Sequence, residues 1–371
     1  MVSPTRPAVR GPADAPTSVV MQALDAIEAG ARPLIVDESS GQLAAALHAR
    51  GAEPQVWRRF AGHGDTSAPW PSASDATSAF VRLGKDKRAL IMALHAAAGM
   101  IPPGAMMVLF GANAEGVKSA GKALDEVAED VVTVDTRRHS RVFAGRRRAT
   151  IRGLRSTLDA WREVNDVTLN GHVRPWVSYP GVFAGGVLDA GTALLLDHLP
   201  ALKVGSVVLD MGCGSGIIGA AVRERVKDSA VDLVDSDAVA IEAARSNAPG
   251  TTIICGDGLA AAPRARYDVI LSNPPIHEGV EESLAFLQRL IADAPARLQP
   301  DGLLQIVIQS RIRAMPWFEA AFKEATIIAQ DRRFQIIRGI AGNVARAKAS
   351  DPERDLRQAR SRRRAHGPKT L

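Results

Sequence analysis

The chain has 371 residues, 46% hydrophobic and 23% charged, a balance that suits a soluble globular protein of two domains rather than one. Its net charge of +6 resides in the tail from Arg346 to Leu371, where nine Lys/Arg face three Asp/Glu, so the body is balanced. No apolar run approaches the roughly eighteen residues needed to cross a bilayer, and two cysteines, Cys213 and Cys255, offer no paired spacing for zinc.

Residues 1–18 are rich in Pro, Ala and Gly, lack a signal-peptide core, and read as a disordered lead-in to a cytoplasmic protein. The next segment, 19–160, alternates short apolar runs with helical patterns. Strands are expected over Pro33–Asp37, Gln55–Phe60 and Ala105–Gly111, with helices over Gln42–Arg50, Asp86–Ala98 and Gly116–Val127. Ala61–Ser78, rich in Gly, Ser and Pro, reads as a loop. Val131–Val134 starts a last strand that runs into an arginine cluster: Arg137, Arg138, Arg141, Arg146, Arg147, Arg148, Arg152 and Arg155, with no acid between Thr136 and Leu158. Clustered arginine is the footprint of a polyanionic partner, although a solvated charged face reads the same way. Gly111–Gly116 reads as an ordinary strand-to-helix turn, so this α/β domain lacks a cofactor loop of its own.

Thr150–Ser178 reads as a connector. The second domain, 161–345, resumes the alternation, with strands expected over Val207–Met211, Val231–Asp235, Thr251–Cys255, Tyr267–Ser272 and Leu303–Ile308. Helices fall over Ile217–Val226, Ala238–Ser246 and Glu281–Arg297. Thr326–Ala329 and Phe334–Arg338 lie close enough for a hairpin, which makes the closing strand antiparallel. Residues 346–371 form a basic tail. The expected architecture is α/β: two tandem Rossmann-like domains, mainly parallel sheets with a closing antiparallel strand.

The chemistry concentrates in two loops. Asp210 precedes alternating glycines, Gly212, Gly214 and Gly216, between a strand and a helix; bare backbone there lets a ligand lie close. Asp235 ends the next strand, where a carboxylate can accept both hydroxyls of a ribose, and Asp257 follows the third within reach of an adenine amine. Gly214–Gly219 also fits the dinucleotide fingerprint, so the glycines alone leave NAD open. Asp210 favours S-adenosylmethionine, because it repels a pyrophosphate yet can receive an ammonium, and Asp257 supplies the adenine contact. The second loop is Asn273-Pro274-Pro275-Ile276-His277. The Asn273 side-chain oxygen and Pro274 carbonyl can accept both N–H groups of an exocyclic amine, with Pro275 fixing the backbone. That aims the nitrogen lone pair at a sulfonium methyl, leaving positioning to supply the acceleration. Ile276 and His277 are candidate contacts to a base that has left its stack. This second loop has no role in hydride transfer.

With these residues placed, the chain resembles the ribosomal RNA guanine-N2 methyltransferases, the small-subunit methyltransferase C kind and its large-subunit relative. The resemblance also includes Tyr179-Pro-Gly-Val-Phe183, Asp189-Ala-Gly-Thr192, Arg82–Lys87 and Arg333–Arg338. It implies two methyltransferase-like domains of which only the second binds cofactor, and transfer of methyl to a guanine N2 in ribosomal RNA or an assembling ribosomal subunit. It also implies functional roles for Asp210, Asp235, Asp257 and Asn273, and a first domain that assists RNA binding; within that domain the clustered arginines make Arg146, Arg147 and Arg148 the candidate RNA contacts. No metal and no membrane partner are expected. The family usually carries an aromatic residue after the two prolines, where this chain has Ile276. Two other readings stay open: methylation of a protein glutamine amide or other amine, and a non-catalytic RNA-binding assembly factor.

Overall fold

The computed structural model describes residues 13–62, 66–72, 75–84, 86–274 and 281–342. The chain opens on helix α1 (Ala15–Gln22), capped by the Asp14 carboxylate, which accepts from Thr17 N at 2.8 Å. The lead-in expected to reach Ser18 therefore gives way to helix at Ala15, and Val19 and Val20 are fully buried. There follow β1 (Pro33–Val36), α2 (Gln42–Ala49), β2 (Gln55–Trp57), β3 (Ser78–Arg82), α3 (Lys87–Met100), β4 (Met106–Ala112), α4 (Val117–Leu124), β5 (Ala128–Arg137) and β6 (Ser140–Arg147). Among the described residues these strands make one sheet in the order β2-β1-β3-β4-β6-β5, parallel from β2 to β4. β1 is buried at all four positions and β3 at its first four, as central parallel strands covered on both faces must be.

The sequence reading differs here in two places. It assigned no strand to Ser78–Arg82, the centre of the sheet. It also extended one strand into the arginines, where the chain instead reverses at Arg138 and His139 (φ 47° and 54°) and returns antiparallel as β6.

The connector is likewise structured. β7 (Glu163–Leu169) and β8 (His172–Ser178) form a separate antiparallel ribbon that turns at Asn170-Gly171. Then come α5 (Ala190–Asp197), β9 (Val207–Met211), α6 (Ile217–Arg225), β10 (Ala230–Asp235), α7 (Ala238–Asn247), β11 (Thr252–Cys255), β12 (Tyr267–Ser272), α8 (Glu281–Asp293), β13 (Leu298–Gln309), α9 (Met315–Ala321), β14 (Glu324–Gln330) and β15 (Phe334–Ile340). The second sheet runs β11-β10-β9-β12-β13-β15-β14, parallel up to β13, with β15 antiparallel to both neighbours. Both sheets thus end in the same way, with a hairpin whose second strand is inserted beside the last parallel one. These are two Rossmann-like domains with mainly parallel sheets. In the second, the chain starts at β9, moves out to β10 and β11, then crosses back to β12. That reversal opens a crevice at the carboxyl ends of β9, β10 and β12, where ligands of such sheets bind.

Candidate active site

The carboxyl edges of the two sheets face one another across a cleft of about 680 Å³. Met211, Gly212, Gly214, Asp235, Asp257, Gly258 and Asn273 line it from the second domain, and Asp37, Trp57, Phe60, Arg82 and Asp86 from the first. The domains are joined beside it by a buried ion pair. Arg59 donates from Nε to Asp237 Oδ1 at 2.8 Å and from Nη2 to Oδ2 at 2.6 Å, while its Nη1 donates to the Pro180 carbonyl at 2.9 Å. Main-chain bonds Ala61 N to Ser236 O (2.7 Å) and Ala238 N to Arg59 O (3.0 Å) flank that pair.

The glycine loop takes its shape from β9 and β10. Gly212 and Cys213 donate to the Val234 carbonyl, and Gly214 donates to Asp235 Oδ2 at 2.8 Å. Gly212 and Gly214 have positive φ (71° and 54°) and line the cleft; a Cβ on Gly212 would meet nothing within 4 Å. Gly216 has a different task. A Cβ there would approach Leu233 at 3.2 Å and Ala244 at 3.3 Å, so its bareness lets α6 pack on β10. Of the three glycines assigned to a ligand by sequence, two are open to the cleft and the third serves helix–sheet packing.

Asp235 accepts Gly214 N on one oxygen and Asp237 N (2.8 Å) on the other, and its carboxylate still lines the cleft. Burial pushes its pKa up to about 6, with Asp237 adding repulsion. Asp210 is placed otherwise than the sequence suggests. It is fully buried beneath the loop, accepts Gly219 N at 2.8 Å on Oδ2, and leaves Oδ1 without a protein partner. Desolvation, with repulsion from Asp235 added, lifts it to about 7. The bond from Gly219 N anchors the α6 amino-terminal turn under the loop. Asp257 lines the cleft beside Gly258, beyond β11.

Asn273 stands at the carboxyl end of β12, on the other side of β9 from Asp235. Its Nδ2 donates to Thr192 Oγ1 at 2.9 Å and to Asp189 Oδ2 at 3.4 Å. Thr192 in turn gives its hydroxyl proton to Asp189 Oδ2, and Asp189 also caps α5 through Gly191 N and Thr192 N. Because the Thr192 oxygen is thereby an acceptor, the amide nitrogen of Asn273 must face it. Oδ1 is the atom left to accept from a ligand. Pro274 is buried. Pro275, Ile276 and His277 lie outside the described residues.

Sequence reasoning missed Asp189 and Thr192 as functional groups, as well as the support under the glycine loop. Trp176 of β8, fully buried, donates from its indole nitrogen to Ser215 Oγ at 2.9 Å, and Asn247 links both main-chain groups of Val177 to the Ser215 carbonyl. Asn170-Gly171 was the available signal for that ribbon.

The arginine cluster divides by register. Arg141 pairs opposite Gly111 near the carboxyl end of β4, but Arg146 pairs opposite Met106 at its start. Arg146, Arg147 and Arg148 thus lie at the amino edge of the first sheet, the end away from the cleft. Arg146 pairs with Glu28, Arg147 donates to the carbonyls of Ala98, Arg148 and Ala149, and Arg148 lies 3.6 Å from Glu129. Among the described residues no cluster of His, Cys, Asp or Glu could hold a metal ion, and no helix is long and apolar enough to cross a membrane.

Comparison with known proteins matches both halves. The family model described as methyltransferase small domain covers residues 175–338, and the methyltransferase small domain N-terminal model covers residues 32–162. A ribosomal RNA small subunit methyltransferase C of Stutzerimonas stutzeri is 33% identical over 317 residues, 83% of this chain and 93% of that protein. A protein of the same name from Hahella chejuensis is 30% identical, covering 78% of this chain and 83% of its own. Among solved structures, a T. thermophilus 16S rRNA N2 G1207 methyltransferase in complex with AdoMet and guanosine aligns with a TM-score of 0.78 at 21% identity. That alignment covers 90% of this chain and 94% of that one, and the likeness is one of fold.

Proposed function

The chain belongs to the ribosomal RNA small subunit methyltransferase C family, and from that premise we propose that it transfers a methyl group from S-adenosylmethionine to the exocyclic N2 of a guanine in ribosomal RNA. The observation that carries the reading is the single cleft in which the open glycines, Asp235 and an oriented Asn273 meet.

The residues present fit the cofactor. Gly212 and Gly214 leave a cradle that any side chain would begin to fill, and Asp235 keeps lone pairs toward the cleft after satisfying two backbone donors. These residues and Asp257 would hold S-adenosylmethionine, which supplies a methyl already activated on a sulfonium. The ribose hydroxyls fall to Asp235, whose carboxylate must be ionised to accept both.

Guanine N2 is a weak nucleophile because its lone pair is delocalised into the ring. The Asn273 Oδ1 accepts one of its N–H groups and the Pro274 carbonyl the other, which draws the nitrogen out of conjugation. Asp189 and Thr192 hold the Asn273 amide in the orientation this needs. No general base is required before methyl transfer; the nitrogen sheds a proton to water once it carries the new bond. Fixed dipoles aimed at the developing charge supply the stabilisation.

Arg146, Arg147 and Arg148 stay in this proposal as contacts to RNA backbone at the amino edge of the first domain, distant from the base being modified. Replacing Asn273 with Ala is expected to abolish transfer into ribosomal RNA while S-adenosylmethionine binding, followed by calorimetry, stays within about threefold of the parent. Normal turnover in that variant would refute the assigned role.

A further inference from the structure

The first domain carries no assigned part in cofactor binding, yet it places an aromatic ring in the half of the cleft where the nucleoside belongs. The second sheet divides the cleft by strand order. Asp235 ends β10 and Asp257 follows β11, whereas Asn273 ends β12 beyond the intervening β9. The ribose and adenine therefore lie toward β10 and β11, and the reacting methyl toward β12. Phe60 belongs to the first half of that division. Its backbone forms an antiparallel bridge with Asp237, two residues past the ribose acid, and Ala61 N donates to Ser236 O at 2.7 Å.

The ring is 53% exposed and lines the cleft with Asp235, Ser236, Asp257 and Gly258. Its position is not free to wander. Arg59, one residue earlier, is locked by both Asp237 oxygens and the Pro180 carbonyl, and its guanidinium carbon sits 5.4 Å from the centre of the Phe60 ring. A planar apolar side chain, clamped on both sides of its own Cα and open to a nucleoside-sized space, is a stacking surface.

We propose that Phe60 of the first domain forms the outer wall of the adenosine subsite and stacks on the adenine of S-adenosylmethionine, so that the docked domain pair, not the second domain alone, makes the cofactor site. This rests on the methyltransferase reading above. One consequence is that disrupting the interface weakens cofactor binding even where the glycine loop is untouched.

The test is calorimetric titration of the full chain with S-adenosylhomocysteine. Phe60→Ala is expected to weaken binding by about tenfold, the scale of one base–aromatic stack. Phe60→Tyr should restore it to within about threefold and Phe60→Leu should not, since Leu covers the space without offering a π face. Unchanged affinity in Phe60→Ala, or full restoration by Leu, overturns the inference. So does a Phe60→Ala chain that binds S-adenosylhomocysteine normally and shows only a raised KM for RNA, because the ring then serves the substrate. A parent chain that fails to bind S-adenosylhomocysteine overturns the methyltransferase reading itself, and this inference with it.

Discussion

Replacing Arg59 with Leu, leaving Asp237 in place, should destabilise the protein far more than loss of a surface ion pair. The guanidinium is 4% exposed and the carboxylate 9%, and two parallel bonds of 2.6 and 2.8 Å join them. Desolvation by itself would lower the Arg59 pKa, yet Asp237 and Asp37 hold it above its ordinary value, so the guanidinium stays charged in the native state. Removing one partner leaves a buried carboxylate uncompensated, which costs about 3–5 kcal/mol, against less than about 1 kcal/mol for an exposed pair. The Pro180 carbonyl loses its donor as well. For a domain of this size the loss corresponds to a fall in Tm on the order of 10 °C. Asp237→Asn should also be costly, because it leaves the buried guanidinium without its carboxylate and turns an amide NH2 toward one of its donors. The amide oxygen can still accept from Val239 N at the start of α7. Differential scanning calorimetry and urea unfolding measure both variants. The double substitution should recover part of the loss, since it leaves neither charge of the pair behind. An Arg59→Leu protein that melts within about 1 °C of the parent would show that the pair does not hold the domains.

Cofactor affinity should fall as pH is lowered, because Asp235, with a pKa of about 6, accepts two ribose hydroxyls only when ionised. Protonation of that group alone gives roughly tenfold weaker S-adenosylhomocysteine binding at pH 5 than at pH 8, and a flat profile would remove Asp235 from the ribose. The unliganded protein should behave in the opposite sense. Asp235 and Asp210 have native pKa values of about 6 and about 7, both raised from 3.8, so their contribution to stability is present in full below 3.8 and is lost as pH rises through 6 and 7. Thr192→Val should lower kcat by about fivefold, the worth of one hydrogen bond, with cofactor Kd unchanged, while Thr192→Ser restores the rate. Equal rates in Val and Ser would show that Thr192 does not orient Asn273.

The parts legible in the sequence are those decided by local pattern. β9 and β12 begin and end where their apolar runs do, and the glycine loop with its acids followed from residue types at fixed offsets. β3 was hidden because Ser78-Ala-Phe-Val-Arg82 follows directly on a stretch rich in Gly, Ser and Pro, and only burial on both faces distinguishes it. The turn between β5 and β6 uses Arg138 and His139 at positive φ, a conformation for which Gly or Asn is the usual signal. The ribbon turning at Asn170-Gly171 does carry that signal.

What the sequence does not encode locally is approach across long separations. Thr192 and Asn273 are 81 residues apart, and Arg59 and Asp237 178 apart. No spacing rule connects them; Thr192 and Asn273 meet because α5 packs on the second sheet, and Arg59 and Asp237 because the two sheets dock carboxyl edge to carboxyl edge. Asp210 illustrates the converse. Its type and position suggest a ligand contact, and only the fold shows that it is also completely buried and tied to the first turn of α6. The family's usual aromatic after the prolines is Ile276 in this chain, while Phe60 and Phe183, 53% and 46% exposed, bring rings to the cleft from elsewhere.

The most direct measurement supplies the purified chain with S-adenosylmethionine labelled in its methyl group and with ribosomal RNA or small subunits, then digests the RNA and identifies the labelled nucleoside by mass spectrometry. Label in N2-methylguanosine is the expected result. Label confined to protein glutamine, or none in RNA although the cofactor binds, would contradict the account.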